Sequence, residues 1–113
     1  MKPPDRGEVW LVDLGLAAKV RPALVVSVPP SDTDRALVTV VPHTTSVRDS
    51  RFEAPVSVAF LKTGAFDAQS LVTIPLAKLL RPLGTLKPAQ FAVVEASLRE
   101  WLGLHPSATE SGA

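Results

Sequence analysis

Two short stretches of the chain place polar side chains at the end of an apolar strand. The first, Val20–Ser27, sets Arg21 directly before a proline and a run of apolar residues. The second, Val40–Ser46, runs from two valines through a proline into one imidazole and three hydroxyls. Rigid strands hold such groups at fixed separations. A guanidinium, hydroxyls and an imidazole together predict an anion-handling site, and we interpret the anion as an RNA phosphate.

Three of these residues are candidates for catalysis. Arg21 precedes Pro22, which favours an extended backbone, and its guanidinium offers a two-pronged donor to a phosphate. Thr44 has a hydroxyl that can donate to a phosphate oxygen or orient a ribose 2′-hydroxyl. His43 titrates near neutral pH and can serve as acid or base. The structural alternatives are a surface arginine at a strand start, a threonine turn cap and a half-exposed loop histidine.

Several other classes of site have no counterpart in the sequence. The glycine patterns that bind phosphate or dinucleotides are absent, as is the GxSxG motif of serine hydrolases. The chain has no cysteine, and its two histidines, His43 and His105, are far apart. Asp32 and Asp34 are typical of a solvated turn rather than an acid/base pair. We therefore expect neither a metal nor another cofactor.

Composition and charge indicate one folded domain. The chain has 113 residues, of which 46% are hydrophobic, and a formal net charge of +1. Between residues 15 and 92, nine basic residues face five acidic ones, which is compatible with a phosphate-rich partner or with an ordinary mixed surface. No apolar run approaches the roughly 20 residues that span a bilayer, and the N-terminus has no apolar signal region. We expect a soluble cytoplasmic protein with no membrane partner.

Hydrophobic periodicity predicts a small mostly β domain with one C-terminal helix, of the α+β or β-barrel type. Pro88 suits the first helical position, and Gly103 suits the left-handed residue that follows a helix, so the helix is predicted over about 88–102. Residues 1–104 then form one domain, and 105–113 form a flexible tail. The predicted strands are 8–14, 23–28, 36–41, 52–60 with a break at Pro55, 69–74 and 78–83.

With these residues in hand, the chain resembles the MazF/PemK family of toxin endoribonucleases over about residues 6–104. The ordered features are Arg6–Leu14, Val20–Ser27, Val40–Ser46 and the C-terminal amphipathic helix. The resemblance implies an SH3-like β-barrel that forms a homodimer. It also implies a type II toxin, an mRNA interferase that cleaves single-stranded RNA without metal and is neutralised by a cognate antitoxin. By this resemblance Arg21 matches the family's active-site arginine. Thr44 matches its threonine, with Thr45 as the shifted alternative.

The chain departs from the family pattern in two places. The loop Gly15–Val20 is short and has no glutamate or glutamine. The segment Thr73–Lys78, after a late apolar strand, lacks the acidic residue and the glutamine that the family has there, and only Lys78 can stand near the place of its arginine. The departures imply either that His43 and Lys78 take over these roles or that the nuclease is weak or altered.

We expect single-stranded RNA to lie in a groove flanked by basic and polar side chains. Lys19 and Arg21 are two residues apart, which in a strand places both on one face. The other predicted RNA contacts are Thr45, Ser46, Arg48, Arg51 and Lys78.

Three further expectations stay open. A leucine surplus at Leu76, Leu79, Leu80 and Leu83 indicates either a dimer interface or a larger core. Trp101 near the end of the helix is compatible with a gyrase-poisoning toxin on the same barrel. The missing acid and glutamine are compatible with a non-catalytic SH3-like binding module.

Overall fold

Within residues 2–15 and 19–104, the part of the chain that the computed structural model describes, seven β-strands precede one α-helix. The predicted tail, 105–113, lies outside the described residues. Two single turns of 3₁₀ helix, Ala68–Ser70 and Leu76–Lys78, flank the sixth strand. The elements are β1 Glu8–Asp13, β2 Val20–Val25, β3 Leu37–Thr44, β4 Glu53–Pro55, β5 Ala65–Asp67, β6 Val72–Pro75, β7 Leu79–Thr85 and α1 Pro88–Leu102.

The strands form one antiparallel sheet in the order β4-β5-β3-β2-β1-β7, and β6 also pairs with β3. β3 is the longest strand and connects the two parts of the sheet. Its first half, from Leu37 to Val40, pairs with β6, whereas His43 and Thr44 at its end pair with β5. Its other edge pairs with β2 through Val40, Val41 and Pro42. Consequently the end of β3 lies where three strands meet.

The sheet carries apolar side chains on both faces. Alternation along β2 sends Leu24 to one face and Ala23 and Val25 to the other, and all three are fully buried. The first face packs with Phe66 and with Val94 of α1, while the second packs with Val38 and Val40 of β3 and with the later strands. Each buried valine or leucine contributes roughly 1.5–3 kcal/mol. This mostly β architecture with a C-terminal helix is the fold class that the sequence predicts.

The helix has the predicted bounds. Gly103 follows it with φ 69°, the left-handed conformation that glycine tolerates best. Lys87 is a poor N-cap residue, but Gln90 Oε1 accepts a hydrogen bond from its backbone N–H at 2.8 Å. Glu95 forms its ion pair with Arg6 at 3.0 Å, so the helix surface also anchors the N-terminal arm.

Several strand predictions are wrong in their bounds. Pro42 was predicted to end β3 but lies inside it, opposite Ala23, and the strand continues through Thr44. β2 begins at Val20 and ends at Val25, so it includes Arg21. The predicted strand 52–60 shrinks to Glu53–Pro55, and that over 69–74 shrinks to Val72–Pro75 with a 3₁₀ turn before it. A strand, β5, lies between the predicted strands 52–60 and 69–74, where the sequence predicts none.

The leucine surplus is mostly core. Leu79 is only 7% exposed and belongs to the second apolar cluster, which Leu76 also contacts. Leu83 packs against the first cluster, whereas Leu80 is 51% exposed. Three of the four leucines therefore stabilise the monomer, and Leu80 alone of them presents a mostly free apolar side chain. No helix in the described part of the chain has the length and apolar character needed to cross a membrane.

Candidate active site

Arg21 and Thr44 lie side by side on neighbouring strands. The β2–β3 ladder pairs Ala23 with Pro42. Extending this antiparallel register by two residues places Arg21 opposite Thr44, on the same face of the sheet. Residues directly opposite each other in such a pair have Cβ atoms about 4.5–5.5 Å apart. Both residues line the same two cavities, one on each side of the sheet end. The structure therefore brings together the guanidinium and the hydroxyl that the sequence singles out.

The Arg21 guanidinium is not engaged by a protein anion. Its residue is partly buried, and it forms no ion pair with any residue in 2–15 or 19–104. Its backbone is fixed because Arg21 pairs with Val12 of β1. A cation held by a strand, without a carboxylate partner, is ready to bind an external anion.

The Thr44 hydroxyl is oriented by the chain that follows it. Its Oγ1 accepts a hydrogen bond from the Ser46 backbone N–H at 3.0 Å. This leaves the hydroxyl proton available for donation to a ligand. On the strand's other edge, Gly64 lies so close that a Cβ atom built on it would be 2.1 Å from the Thr44 carbonyl oxygen. Gly64 is therefore part of what positions Thr44.

His43 has a different environment from its neighbour. It is 4% exposed, and its ring packs edge-on against Phe66 with 5.1 Å between ring centroids. Strand alternation turns it to the face opposite Thr44. Its Nε2 is buried and has no hydrogen-bond partner among the described residues. Burial lowers the pKa of His43 below its ordinary value of 6.5, so the imidazole is neutral at pH 7. His43 is therefore not a half-exposed loop histidine, which was the structural alternative; it is a buried strand residue.

One cavity, which we call the His43-side cleft, has a volume of about 480 Å³. Among the described residues its charged lining consists of Arg21, Lys62 and Arg81, with no carboxylate. Neither Lys62 nor Arg81 is predicted to belong to the site from the sequence. Lys62 lies outside the predicted strands, and Arg81 lies in a predicted strand whose exposed face is decided only by pairing. The other lining residues are Leu11, Val20, Pro22, His43, Thr44, Thr45, Ser46, Phe60, Leu61 and Leu83.

The second cavity, which we call the Asp67-side cavity, has a volume of about 350 Å³ and polar walls. Arg21 and Thr44 share it with two carboxylates, Glu53 and Asp67, and with Gln69. Asp67 accepts hydrogen bonds from the Gln69 N–H at 3.1 Å and the Ser70 hydroxyl at 2.8 Å. The remaining lining residues are Ser46, Arg48, Ser50 and Ser70.

An acidic residue and a glutamine, the residue types that Thr73–Lys78 lacks, thus line a cavity together with Arg21. They come from the end of β5 and the 3₁₀ turn after it, and not from the segment after the late strand. The local signal in the sequence is the Asp67-x-Gln69-Ser70 turn, in which the aspartate accepts from the next residues. From the sequence a strand is predicted over 69–74, and neither Asp67 nor Gln69 is predicted to belong to the site.

Three of the predicted RNA contacts line the cavities and three do not. Thr45 and Ser46 line the His43-side cleft, and Arg48 lines the Asp67-side cavity. Lys19 lines neither of the two cavities as formed by the described residues. It has φ 51°, and its N–H and carbonyl bond Gly15 and Leu14, so the strand alternation used to place it beside Arg21 does not apply.

The two remaining basic residues have protein partners. Arg51 pairs with Glu100 at 3.3 Å and stacks its guanidinium over the Phe52 ring. Lys78 is 3.9 Å from the Asp13 carboxylate, and neither residue lines the two cavities. Lys78 therefore does not stand beside Arg21. Trp101, on which the gyrase-poison alternative depends, packs edge-on against Phe52 at 5.2 Å.

Comparison with known proteins gives a consistent result. Residues 5–102 match the model of the family described as PemK-like, MazF-like toxin of type II toxin-antitoxin system. A mycobacterial endoribonuclease in complex with its cognate antitoxin is 29% identical, with a TM-score of 0.78 over 92% of this chain and 99% of that one. Another mycobacterial endoribonuclease is 28% identical, with a TM-score of 0.77 over 95% and 98%. The Mycobacterium tuberculosis toxin MazF-mt6 is 27% identical, with a TM-score of 0.75 over 88% and 99%.

Proposed function

Because the chain belongs to the PemK-like, MazF-like toxin family of type II toxin–antitoxin systems, we propose that it cleaves single-stranded RNA at the Arg21–Thr44 pair. The observation that supports the site assignment is that Arg21 and Thr44 line the same two cavities. Among the described residues the Arg21 guanidinium has no ion pair, and the Thr44 hydroxyl keeps its proton for donation. Both of these mycobacterial relatives are endoribonucleases.

The chemistry uses the substrate's own 2′-hydroxyl as nucleophile. Its oxygen attacks the adjacent phosphorus, the bond to the 5′ oxygen breaks, this oxygen takes a proton from solvent and leaves as a 5′-hydroxyl, and a 2′,3′-cyclic phosphate remains. Negative charge grows on the phosphate oxygens during attack, and the Arg21 guanidinium binds them where that charge develops. Thr44 donates its hydroxyl to a phosphate oxygen and holds the phosphate between the two strands. No step requires a metal ion.

The 2′-hydroxyl proton needs an acceptor on the same side as the phosphate. Asp67 provides a carboxylate in the cavity that Arg21 and Thr44 line. Each of its oxygens accepts one hydrogen bond from the 3₁₀ turn, which fixes the carboxylate and leaves lone pairs for a further proton. We assign Asp67 as the general base. His43, turned to the opposite face, is the alternative that the sequence favours.

The family assignment also supports three proposals about the protein's environment. Its protein partner is a cognate antitoxin, as in the mycobacterial complex. It works in the cytoplasm, where single-stranded RNA is available. It forms a homodimer, for which Leu80 on β7 and Val20 on β2 are candidate interface residues because each exposes about half of an apolar side chain.

The test is an RNA cleavage assay in EDTA with purified protein. The wild type is expected to cut single-stranded RNA, and Arg21→Ala is expected to lower kcat about 10²–10³-fold, the usual effect of removing one donor to a developing oxyanion. Arg21→Lys is expected to recover part of the loss, since an ammonium keeps the charge without the two-pronged geometry.

Arg35→Ala is the matched control because it removes an exposed arginine that lines neither cavity. It is expected to cut at the wild-type rate. Intact RNA with the wild-type protein contradicts the proposed activity, and full cleavage by Arg21→Ala contradicts the site. Inhibition of DNA supercoiling without RNA cleavage would instead identify a gyrase poison.

A further inference from the structure

We propose that the His43-side cleft is a second phosphate subsite, in which Lys62 and Arg81 bind the phosphate next to the scissile one. The proposal rests on the proposed function, since it takes the scissile phosphate to lie at Arg21 and Thr44. In this proposal the RNA strand runs from the Arg21–Thr44 pair toward β7, and not toward Asp13 and Lys78.

The charge of the cleft favours an anion. Arg21, Lys62 and Arg81 line it, and no acidic residue in 2–15 or 19–104 does. Among the described residues neither Lys62 nor Arg81 forms an ion pair, whereas Arg51 and Lys78 do. Cations that line one wall without a counterion attract a phosphate backbone through the field that they add together.

The strand register gives the spacing of the two subsites. Leu11 of β1 pairs with Pro22 of β2 on one edge and with Arg81 of β7 on the other. Arg81 is therefore two strand spacings, roughly 10 Å between backbones, from the residue next to Arg21. Through Leu11, Arg81 shares a sheet face with Pro22, and Arg21 and Arg81 both line the cleft, where their long side chains can reach neighbouring phosphates of one strand.

The turn that carries Lys62 is anchored to the same strand as Arg81. Phe60 packs on Gly84 of β7, where a Cβ atom would be 2.5 Å from the ring. This close approach requires glycine and fixes the turn across the cleft from β3. Lys62 follows two residues later and is exposed, so its ammonium is free to meet an anion at the mouth.

His43 contributes to the wall of this cleft. Its side chain is more than nine-tenths buried, it lines this cleft, and its Nε2 has no partner among the described residues. Because Nε2 is itself inaccessible, His43 contributes a buried, uncharged wall to the cleft, and the cations Lys62 and Arg81 carry the recognition of the phosphate.

The experiment measures binding of an RNA that cannot be cut. The probe is a short mixed-sequence oligonucleotide with 2′-fluoro ribose throughout, titrated at several salt concentrations between about 50 and 200 mM. Each neutralised single-strand phosphate contributes about 0.7 to the slope of log K against log salt, so Lys62→Gln and Arg81→Gln, which share one phosphate, are each expected to lower the slope by up to about 0.7. Arg35→Gln is the control and is expected to keep the wild-type slope.

Cleavage kinetics on ordinary RNA provide a second readout. Because the two residues bind a phosphate that does not react, both variants are expected to raise KM and leave kcat close to wild type. Both side chains are exposed, so unfolding curves are expected to match the wild type, and a binding loss is then not a folding defect.

Two results overturn the proposal. One is an unchanged slope in both variants, and the other is a lower slope in Lys78→Gln or Arg51→Gln with none in Lys62→Gln and Arg81→Gln. Either can occur while Arg21-dependent cleavage persists, in which case the proposed function stands and only the RNA path is wrong. Absence of cleavage by the wild type contradicts the proposed function instead.

Discussion

His43 is predicted to make the stability of the protein depend on pH in the mildly acidic range. Burial lowers its pKa in the folded state below the ordinary 6.5. The cleft that it lines holds three cations and no carboxylate, so no anion is there to stabilise the imidazolium. In mildly acidic solution the unfolded chain therefore binds a proton at His43 more readily than the folded chain does.

The sign follows from linkage. Well above pH 6.5, at about pH 7.5 and higher, the imidazole is almost entirely neutral in both states and has little effect on the slope. As the pH falls below that value, the unfolded state gains a proton first, so the free energy of unfolding decreases until the folded pKa is reached. One proton corresponds to at most about 1.4 kcal/mol per pH unit. Carboxylates, with ordinary pKa values near 4, titrate mainly below about pH 5.

The assay is urea unfolding of wild type and His43→Asn at intervals between about pH 7.5 and pH 5. Asparagine is polar and does not titrate, so the variant is less stable at every pH but is expected to lose the wild-type slope. His105→Asn, which removes the chain's other histidine, identifies any slope that belongs to that residue.

Equal slopes in the wild type and His43→Asn would refute the reasoning. A wild-type stability that rises on acidification through pH 6.5 would also refute it, because it requires a raised folded pKa. The same variant tests the catalytic alternative. If Asp67 is the general base, His43→Asn changes KM more than kcat, whereas a proton-transfer role for His43 predicts a kcat loss of about 10²–10⁴-fold.

Three further predictions concern the Arg21–Thr44 pair and its surroundings. Thr44→Val keeps the side-chain shape and removes the hydroxyl, so kcat is expected to fall about 10²-fold or more while circular dichroism stays unchanged. Asp67→Asn is expected to lower kcat about 10²–10⁴-fold with little change in RNA affinity, and wild-type kcat in this variant would exclude Asp67 as the base. Gly64→Ala introduces a Cβ atom 2.1 Å from the Thr44 carbonyl oxygen, so it is expected to destabilise the fold by roughly 1–3 kcal/mol and to lower kcat; unchanged urea unfolding would show that the neighbouring turn moves aside freely.

Elements that depend on neighbouring residues are predictable from the sequence. The helix Pro88–Leu102 is recognisable because its proline, its apolar period and Gly103 all act within a few residues. The apolar cores of β1, β2 and β3 are recognisable for the same reason. Strand ends are not local, since pairing decides them. Pro42 stays inside β3 because β2 and β5 continue on its two sides.

The basic residues show the same division. Arg51 and Lys78 resemble RNA-binding cations in the sequence, yet Glu100 and Asp13 approach them only in the fold. Lys62 and Arg81 have no distinguishing local context, and the fold places both at one cleft without a partner among the described residues.

The sequence by itself determined the mostly β fold class, the C-terminal helix, and Arg21 and Thr44 as the residues of interest. Each of these follows from residue type and spacing within a short stretch. Only the tertiary structure decided that the two line the same cavities, with His43 turned to the other face and Asp67 lining one of these cavities with them. The physical reason is that antiparallel register and strand alternation set which side chains share a face, and both depend on pairing between residues distant in the chain. Arg21 is therefore a candidate from the sequence, and its partners are known only from the fold.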